Sequence, residues 1–213
     1  MKERIDISTW SRRSQYDNFI RYTHPVFSVV ARLDVTGLVH YCKKNGRHFF
    51  SEFLYVASRA ANEIEEFRTR IDEGEVVRWD YVHPSYIVIR EDDSIVTCLT
   101  EYVPDCERFY EQSRLDIEAA KIKANEVFNP KIRTDCLYVS CLPWVDLTSF
   151  TNPYNFADAA QTSIPRIVWT KYVKEGDRFK MSFSVSAHHA FADGVHAAKL
   201  INDVQSLLKE YEE

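Results

Sequence analysis

From Phe179 to Ala187 the chain alternates apolar and polar positions without a break. Phe179, Met181, Phe183, Val185 and Ala187 fall on one parity, and Lys180, Ser182, Ser184 and Ser186 on the other. That period predicts a strand with one buried face. Extending the parity places His189 on the apolar face and His188 on the polar one. In "FFSEFLYVASRAANEIEEF" the period changes: Phe50, Phe53, Leu54, Ala57, Ala61 and Ile64 recur at helical spacing and predict an amphipathic helix. A last helix is expected from about Gly194 to Tyr211, with Leu200, Val204, Leu207, Leu208 and Tyr211 on its apolar face.

The remaining pattern is mixed. Phe27–Val35 is a β-branched strand, followed by a short helix from Thr36, as N-cap, to about Lys44. "EVVRWD", "SYIVIRED" and "SIVTCLTEY" read as consecutive strands, Asp105 to about Asn125 as a helix, and Cys136–Trp144 as a buried strand ending at Pro143. "RIVWTKYVKEGDRFKMSFSVSAHH" reads as two strands around a Glu175-Gly176-Asp177 turn. Without strict βαβ alternation, the expected class is α/β or α+β, with helices packed on a mixed sheet.

Composition narrows the picture. The length of 213 residues suits one substantial core, so residues 1–213 are expected to form a single domain. A net charge of −5 and no Lys/Arg run speak against a nucleic-acid partner. Cys42, Cys98, Cys106, Cys136 and Cys141 form no C-x-x-C pair and read as reduced core thiols. With no apolar leader and no run of 18 apolar residues, the expectation is a cytoplasmic protein without membrane contact.

The chemistry concentrates in "VSAHHAFADGVHAAKL", at the junction of the alternating strand and the last helix. His189 lies at the strand end and Asp193 at the helix N-terminus, where unpaired N–H groups favour a carboxylate. An H-x-x-x-D-G taken alone has a structural reading, a core histidine and a helix cap, beside the catalytic one. A metal site from His188, His189, Asp193 and His196 is disfavoured, because adjacent strand residues point apart. The five dispersed glycines form no phosphate-cradling loop, and neither G-x-S-x-G nor H-E-x-x-H is present.

Beyond that motif, "IDISTWSRRSQYDNF", "NEIEEFRTRIDEGEVVRWDYVHPSYIV", "CLPWVDLTSF" and "TKYVKEGD" occur in order along nearly the whole chain. Together with "HHAFADGVH" they resemble the type A chloramphenicol acetyltransferases. The resemblance implies an α+β two-layer sandwich and an acetyl-CoA-dependent O-acetyltransferase without a metal. It implies His189 as the general base that takes a proton from the acceptor hydroxyl, its tautomer held by a backbone carbonyl rather than a third triad residue. An imidazole, ordinarily titrating near pH 6.5, suits that task. Ser149 in "LTSF" is implied as the donor to the tetrahedral intermediate, with a turn serine as the alternative. Asp193 is implied to pair with Arg12 and shape the turn.

The resemblance further implies a homotrimer with active sites between subunits. Phe19 and Phe27 keep aromatic character on the acceptor side, where Pro25 stands in place of a common cysteine. Val168 replaces a threonine there, with Thr170 on the same strand face. Lys171 and Tyr172 match positions near CoA, although either could be an ordinary strand residue. The segment "TNPYNFADAAQTSIP" departs from the family's loop. Three readings stay open: chloramphenicol acetylation, with antibiotic resistance as its consequence; acyl transfer to another hydroxyl acceptor; and a non-catalytic ligand-binding member of the fold.

Overall fold

The structure is a computed structural model and describes residues 1–122 and 133–212. In chain order its elements are β1 (Lys2–Arg4), α1 (Arg13–Phe19), β2 (Val26–Asp34), α2 (Thr36–Asn45), α3 (Phe49–Asn62), α4 (Glu65–Arg68), β3 (Thr69–Asp72) and β4 (Glu75–Trp79). They continue through β5 (His83–Ile89), β6 (Ile95–Leu99), α5 (Cys106–Ile122), β7 (Cys136–Leu142), α6 (Ala159–Ser163), β8 (Arg166–Thr170), β9 (Val173–Glu175), β10 (Arg178–His188) and α7 (Gly194–Lys209). A 3₁₀ turn over Glu210–Glu212 follows.

The main sheet runs β2-β10-β8-β7-β5-β6, with β9 paired to the start of β10. The β7–β8 and β5–β7 pairs are parallel and the others antiparallel, so the sheet is mixed as expected. One face meets α2, α3, α5 and α7. Leu33, Tyr86, Val139, Ile167, Trp169, Met181, Phe183 and Val185 point into this core, where they meet Phe53, Leu54, Ala57, Leu200 and Val204. Burying one such aliphatic or aromatic side chain contributes about 1.5–3 kcal/mol.

The opposite face follows by parity. It carries Ser28, Val30 and Arg32 on β2, Ser182, Ser184 and Ser186 on β10, Arg166, Val168 and Thr170 on β8, and Tyr138 on β7. The segment 146–156 crosses part of it, tied down by Arg32–Asp146 and Asn152–Ser186 contacts. Consequently the three serines of β10, polar by pattern, are buried as deeply as their apolar neighbours. Val30, Ile87, Ile89 and Ile95 remain exposed on this face.

Several boundaries differ from expectation for local reasons. Thr36 is the first residue of α2 and not its N-cap: the Asp34 carboxylate accepts its backbone N–H at 3.0 Å and its hydroxyl at 2.6 Å. "EVVRWD" does not join the main sheet; β4 pairs with β1 and β3 in a separate three-stranded sheet. Buried Arg70 on β3 links the two sheets by donating to the Cys136 carbonyl at the start of β7. The stretch from Arg166 to His188 holds three strands rather than two. Residues 123–125 of the helix expected to begin at Asp105 lie outside the described residues. All five cysteines are free, and burial pushes the thiols of Cys42, Cys136 and Cys141 up to about 12, and that of Cys106 to about 11. No helix among the described residues is long and apolar enough to cross a membrane.

Candidate active site

β10 ends at His188, and residues 189–191 turn before α7 begins at Gly194. The parity argument therefore holds for His188, which stays on the face of Ser184 and Ser186, and fails for His189, because the turn rotates it out of the strand's register. His188 is the buried one, packed on Phe191 with ring centroids 5.2 Å apart, and its Nδ1 accepts the Ala190 N–H at 3.1 Å. His189 keeps about a third of its side chain exposed. Burial, helped by the neighbouring His189 ring, lowers the His188 pKa to about 4.

That shift has a testable sign. The folded state prefers neutral His188, so its contribution is complete above the ordinary pKa near 6.5 and declines as the pH falls toward about 4. Urea denaturation across this window is expected to show a declining acid limb in the wild type. In His188→Asn, which keeps an acceptor for the Ala190 N–H, the limb should flatten; an unchanged limb would refute the assignment.

The His189 ring is held from several sides. Its backbone N–H donates to the Pro25 carbonyl at 2.8 Å. Phe19, the last residue of α1, stacks on the ring at 3.9 Å and 12°, and Phe27 on β2 lies at 5.0 Å. Two of the predicted acceptor-side residues thus meet the predicted base. The tautomer support differs from the expectation: Nδ1 faces an Asp193 carboxylate oxygen at 3.1 Å, not a backbone carbonyl. The approach is out of line for a hydrogen bond, and Nδ1 is buried without one. Its charge still favours a proton on Nδ1, which leaves Nε2 as the basic atom.

Asp193 is oriented by Arg12 through two bonds, Nη1 to Oδ2 at 2.7 Å and Nη2 to Oδ1 at 3.0 Å. The pair is mostly buried, and the guanidinium holds the Asp193 carboxyl below the usual carboxylate range against the opposing effect of burial. Arg12 reaches this place because Trp10 and Tyr16 pack on Phe191, with centroids 6.4 and 5.9 Å away. That aromatic cluster was missed in the sequence, where Phe191 reads only as a motif spacer. His196 completes the turn: its Nδ1 accepts the Asp193 N–H at 2.9 Å and its Nε2 lies 3.3 Å from Glu66. Nδ1 of His188, both ring nitrogens of His196 and both Asp193 oxygens therefore have other neighbours, and no metal-holding cluster is found among the described residues.

The other predicted residues lie elsewhere. Ser149, exposed on the loop after β7, borders a small hollow with Val30, Val168, Thr170, Ser182 and Ser184, whose space of about 10 Å³ suits one water. Ser184 is buried there with no partner for its hydroxyl among the described residues. Thr170 also lines a larger hollow of about 360 Å³ with Phe49, Phe50, Cys141, Trp169, Lys171 and Tyr172. Both predicted CoA-side residues are in that wall. Within one chain, however, these hollows are far from the base: Ser184 precedes His189 by five residues, about 17 Å along an extended strand. The ten predicted residues thus form two groups, Arg12, Phe19, Phe27, His189 and Asp193 at one place and Ser149, Val168, Thr170, Lys171 and Tyr172 at another.

Comparison with known proteins bears on the chain as a whole. The family described as chloramphenicol acetyltransferase matches residues 2–205. A chloramphenicol acetyltransferase of Proteus mirabilis is 32% identical over 208 residues, covering 97% of this chain and 94% of that protein. A solved chloramphenicol acetyltransferase superposes with a TM-score of 0.88 at 29% identity, covering 98% of this chain and 100% of the other. The dihydrolipoamide acetyltransferase of Azotobacter vinelandii, at 18% identity and a TM-score of 0.65 over 95% of this chain and 86% of the other, shares the fold. By both sequence and structure, the chain belongs to the chloramphenicol acetyltransferase family.

Proposed function

We propose that the protein is an acetyl-CoA-dependent O-acetyltransferase acting on chloramphenicol or a similar hydroxyl acceptor. The observation that carries this reading is the His189 ring, a third exposed and stacked on Phe19 with Nδ1 turned toward Asp193. Nε2 takes the acceptor's hydroxyl proton as its oxygen attacks the thioester carbonyl. The negative oxygen of the tetrahedral intermediate accepts a hydrogen bond from Ser149. On collapse the C–S bond breaks, the acetyl group stays on the acceptor oxygen, and His189 returns the proton to the CoA sulfur.

The larger hollow suits part of the cosubstrate. Its wall holds Trp169 Nε1, a buried donor beside the Cys141 thiol with no oxygen partner, where an amide carbonyl of the pantetheine arm would fit. Lys171 supplies a cation for phosphate, and Phe49, Phe50 and Tyr172 an aromatic lining. The CoA side and the acceptor side meet at Thr170, which borders both hollows.

A trimer brings the two groups of residues together. In that assembly His189 of one copy faces Ser149, Val168 and Thr170 of the next. The exposed Val30, Ile87, Ile89 and Ile95 on the helix-free face support such an assembly. The chain works as one domain in the cytoplasm. Light scattering should give three times the chain mass; a monomer that turns over would exclude the shared site.

The deciding experiment follows CoA-thiol release from acetyl-CoA with and without chloramphenicol. Chloramphenicol-dependent release is expected. Its absence from a folded protein that binds acetyl-CoA would move the acceptor to another hydroxyl compound. Ser149→Ala should lower kcat by about 10²–10³-fold with KM little changed, the signature of a donor used only in the transition state. A loss confined to KM would assign Ser149 to binding instead.

A further inference from the structure

We propose that the acceptor side of the site carries an anion-binding position centred on Arg166, so that hydroxyl acceptors bearing a carboxylate bind more tightly than their neutral amides. The proposal rests on reading Val168, Thr170 and Ser149 as the acceptor side. Arg166 opens β8, and because Ile167 and Trp169 point into the core, Arg166 shares the other face with Val168 and Thr170. Ser186 on β10 and Tyr138 on β7 flank it in register.

The guanidinium lies 3.8 Å from the centroid of the Tyr154 ring and 5.6 Å from that of Tyr138. One Nη donates to the Pro153 carbonyl. Its Nε–H is buried without a partner, and no carboxylate lies within ion-pair distance among the described residues. The Tyr154 hydroxyl, beside Ser186, is likewise buried without a hydrogen bond of normal geometry. Arg12, Arg32, Arg47, Arg78, Arg133 and Arg178, by contrast, each have a carboxylate partner.

An arginine taken partly out of water without a counter-ion is costly, and burial accordingly lowers its pKa. Two aromatic rings and one carbonyl hold the side chain while leaving the Nε edge of its planar fork without a hydrogen bond among the described residues. That edge matches a carboxylate in a bidentate approach. The segment carrying Pro153 and Tyr154 is the one where this sequence departs from the family's loop.

The test uses N-benzoyl-serine and N-benzoyl-serinamide, which share a primary hydroxyl and differ in charge. Calorimetric titration of the intact assembly without acetyl-CoA reads binding independently of turnover. The carboxylate is expected to bind at least about tenfold more tightly, as for a charge-assisted pair, and less so at high salt. Arg166→Met should bring the ratio near one, and Arg166→Lys should keep part of it. Equal or undetectable binding of the two probes to the wild type overturns the proposal, as does a preference that survives in Arg166→Met. The wild-type comparison decides even if a variant fails to fold. Equal binding with chloramphenicol still acetylated would count against Arg166 alone, whereas failure to acetylate any acceptor would count against the transferase reading.

Discussion

His189→Ala is expected to reduce chloramphenicol-dependent CoA release by about 10²–10⁴-fold, the usual contribution of a positioned general base. The loss should appear in kcat, because in the proposed mechanism the imidazole accepts its proton only as the oxygen attacks. Stability should change little. The residue is a third exposed and sits in a turn, so the variant loses mainly its stacking on Phe19, worth about 0.5–1.5 kcal/mol. For a domain of this size that corresponds to a fall in Tm of no more than about 6 °C. Rates and melting curves measured together separate the two effects. A variant that melts like the wild type and still transfers acetyl groups at the wild-type rate would remove His189 from the mechanism. His188→Asn serves as the companion, since its acceptor bond shapes the same turn without reaching the reacting hydroxyl.

Asp193→Ala should behave in the opposite way, costing about 3–5 kcal/mol of stability. The carboxylate receives two guanidinium bonds from Arg12, which lies 11% exposed with a buried, unpartnered Nε. Removing it leaves that cation without a counter-charge. It also frees the His189 ring, so activity falls through misorientation. A double-mutant cycle with Arg12→Ala, read by urea denaturation, should show a clear coupling energy; additive losses would mean that the pair contributes nothing of its own. The pH dependence has a defined sign. The folded pKa of Asp193 is depressed, so its contribution is complete above the ordinary carboxylate pKa near 4 and is lost as the pH falls through the folded value. Asp193→Ala should lack this part of the acid limb, which lies below the window assigned to His188.

Much of this was legible in the sequence. The alternation through Phe179–Ala187, the helical period from Phe50 to Ala61 and the apolar stripe of α7 all reappear, because burial of one face acts over a few residues; Ile64, expected in the same helix, instead lies in extended backbone ahead of α4. The Arg12–Asp193 pair was also foreseen, although only through resemblance, since 181 residues separate the partners. His189 was misassigned for an identifiable reason. Parity holds only inside a strand, and β10 stops at His188. Thr36 was misread because a good capping residue was present, yet Asp34 two positions earlier had the better-placed carboxylate. The serines of β10 gave a partial warning: small hydroxyls in place of Lys or Glu suit a polar face that something covers.

By itself, then, the sequence determined the mixed class and the main periodic elements and named the candidate residues, all properties set by short-range pattern or carried by motifs. Only the tertiary structure decided which groups share a place. It seated His189 against Phe19, Phe27 and Asp193, and put Ser149, Val168 and Thr170 further along the sheet. It also left Arg166 between two tyrosines without a counter-ion. Such relations depend on strand order, on where a strand ends and on which loop covers which face. Those are set by long-range packing, and no local pattern of hydrophobic and polar residues encodes them.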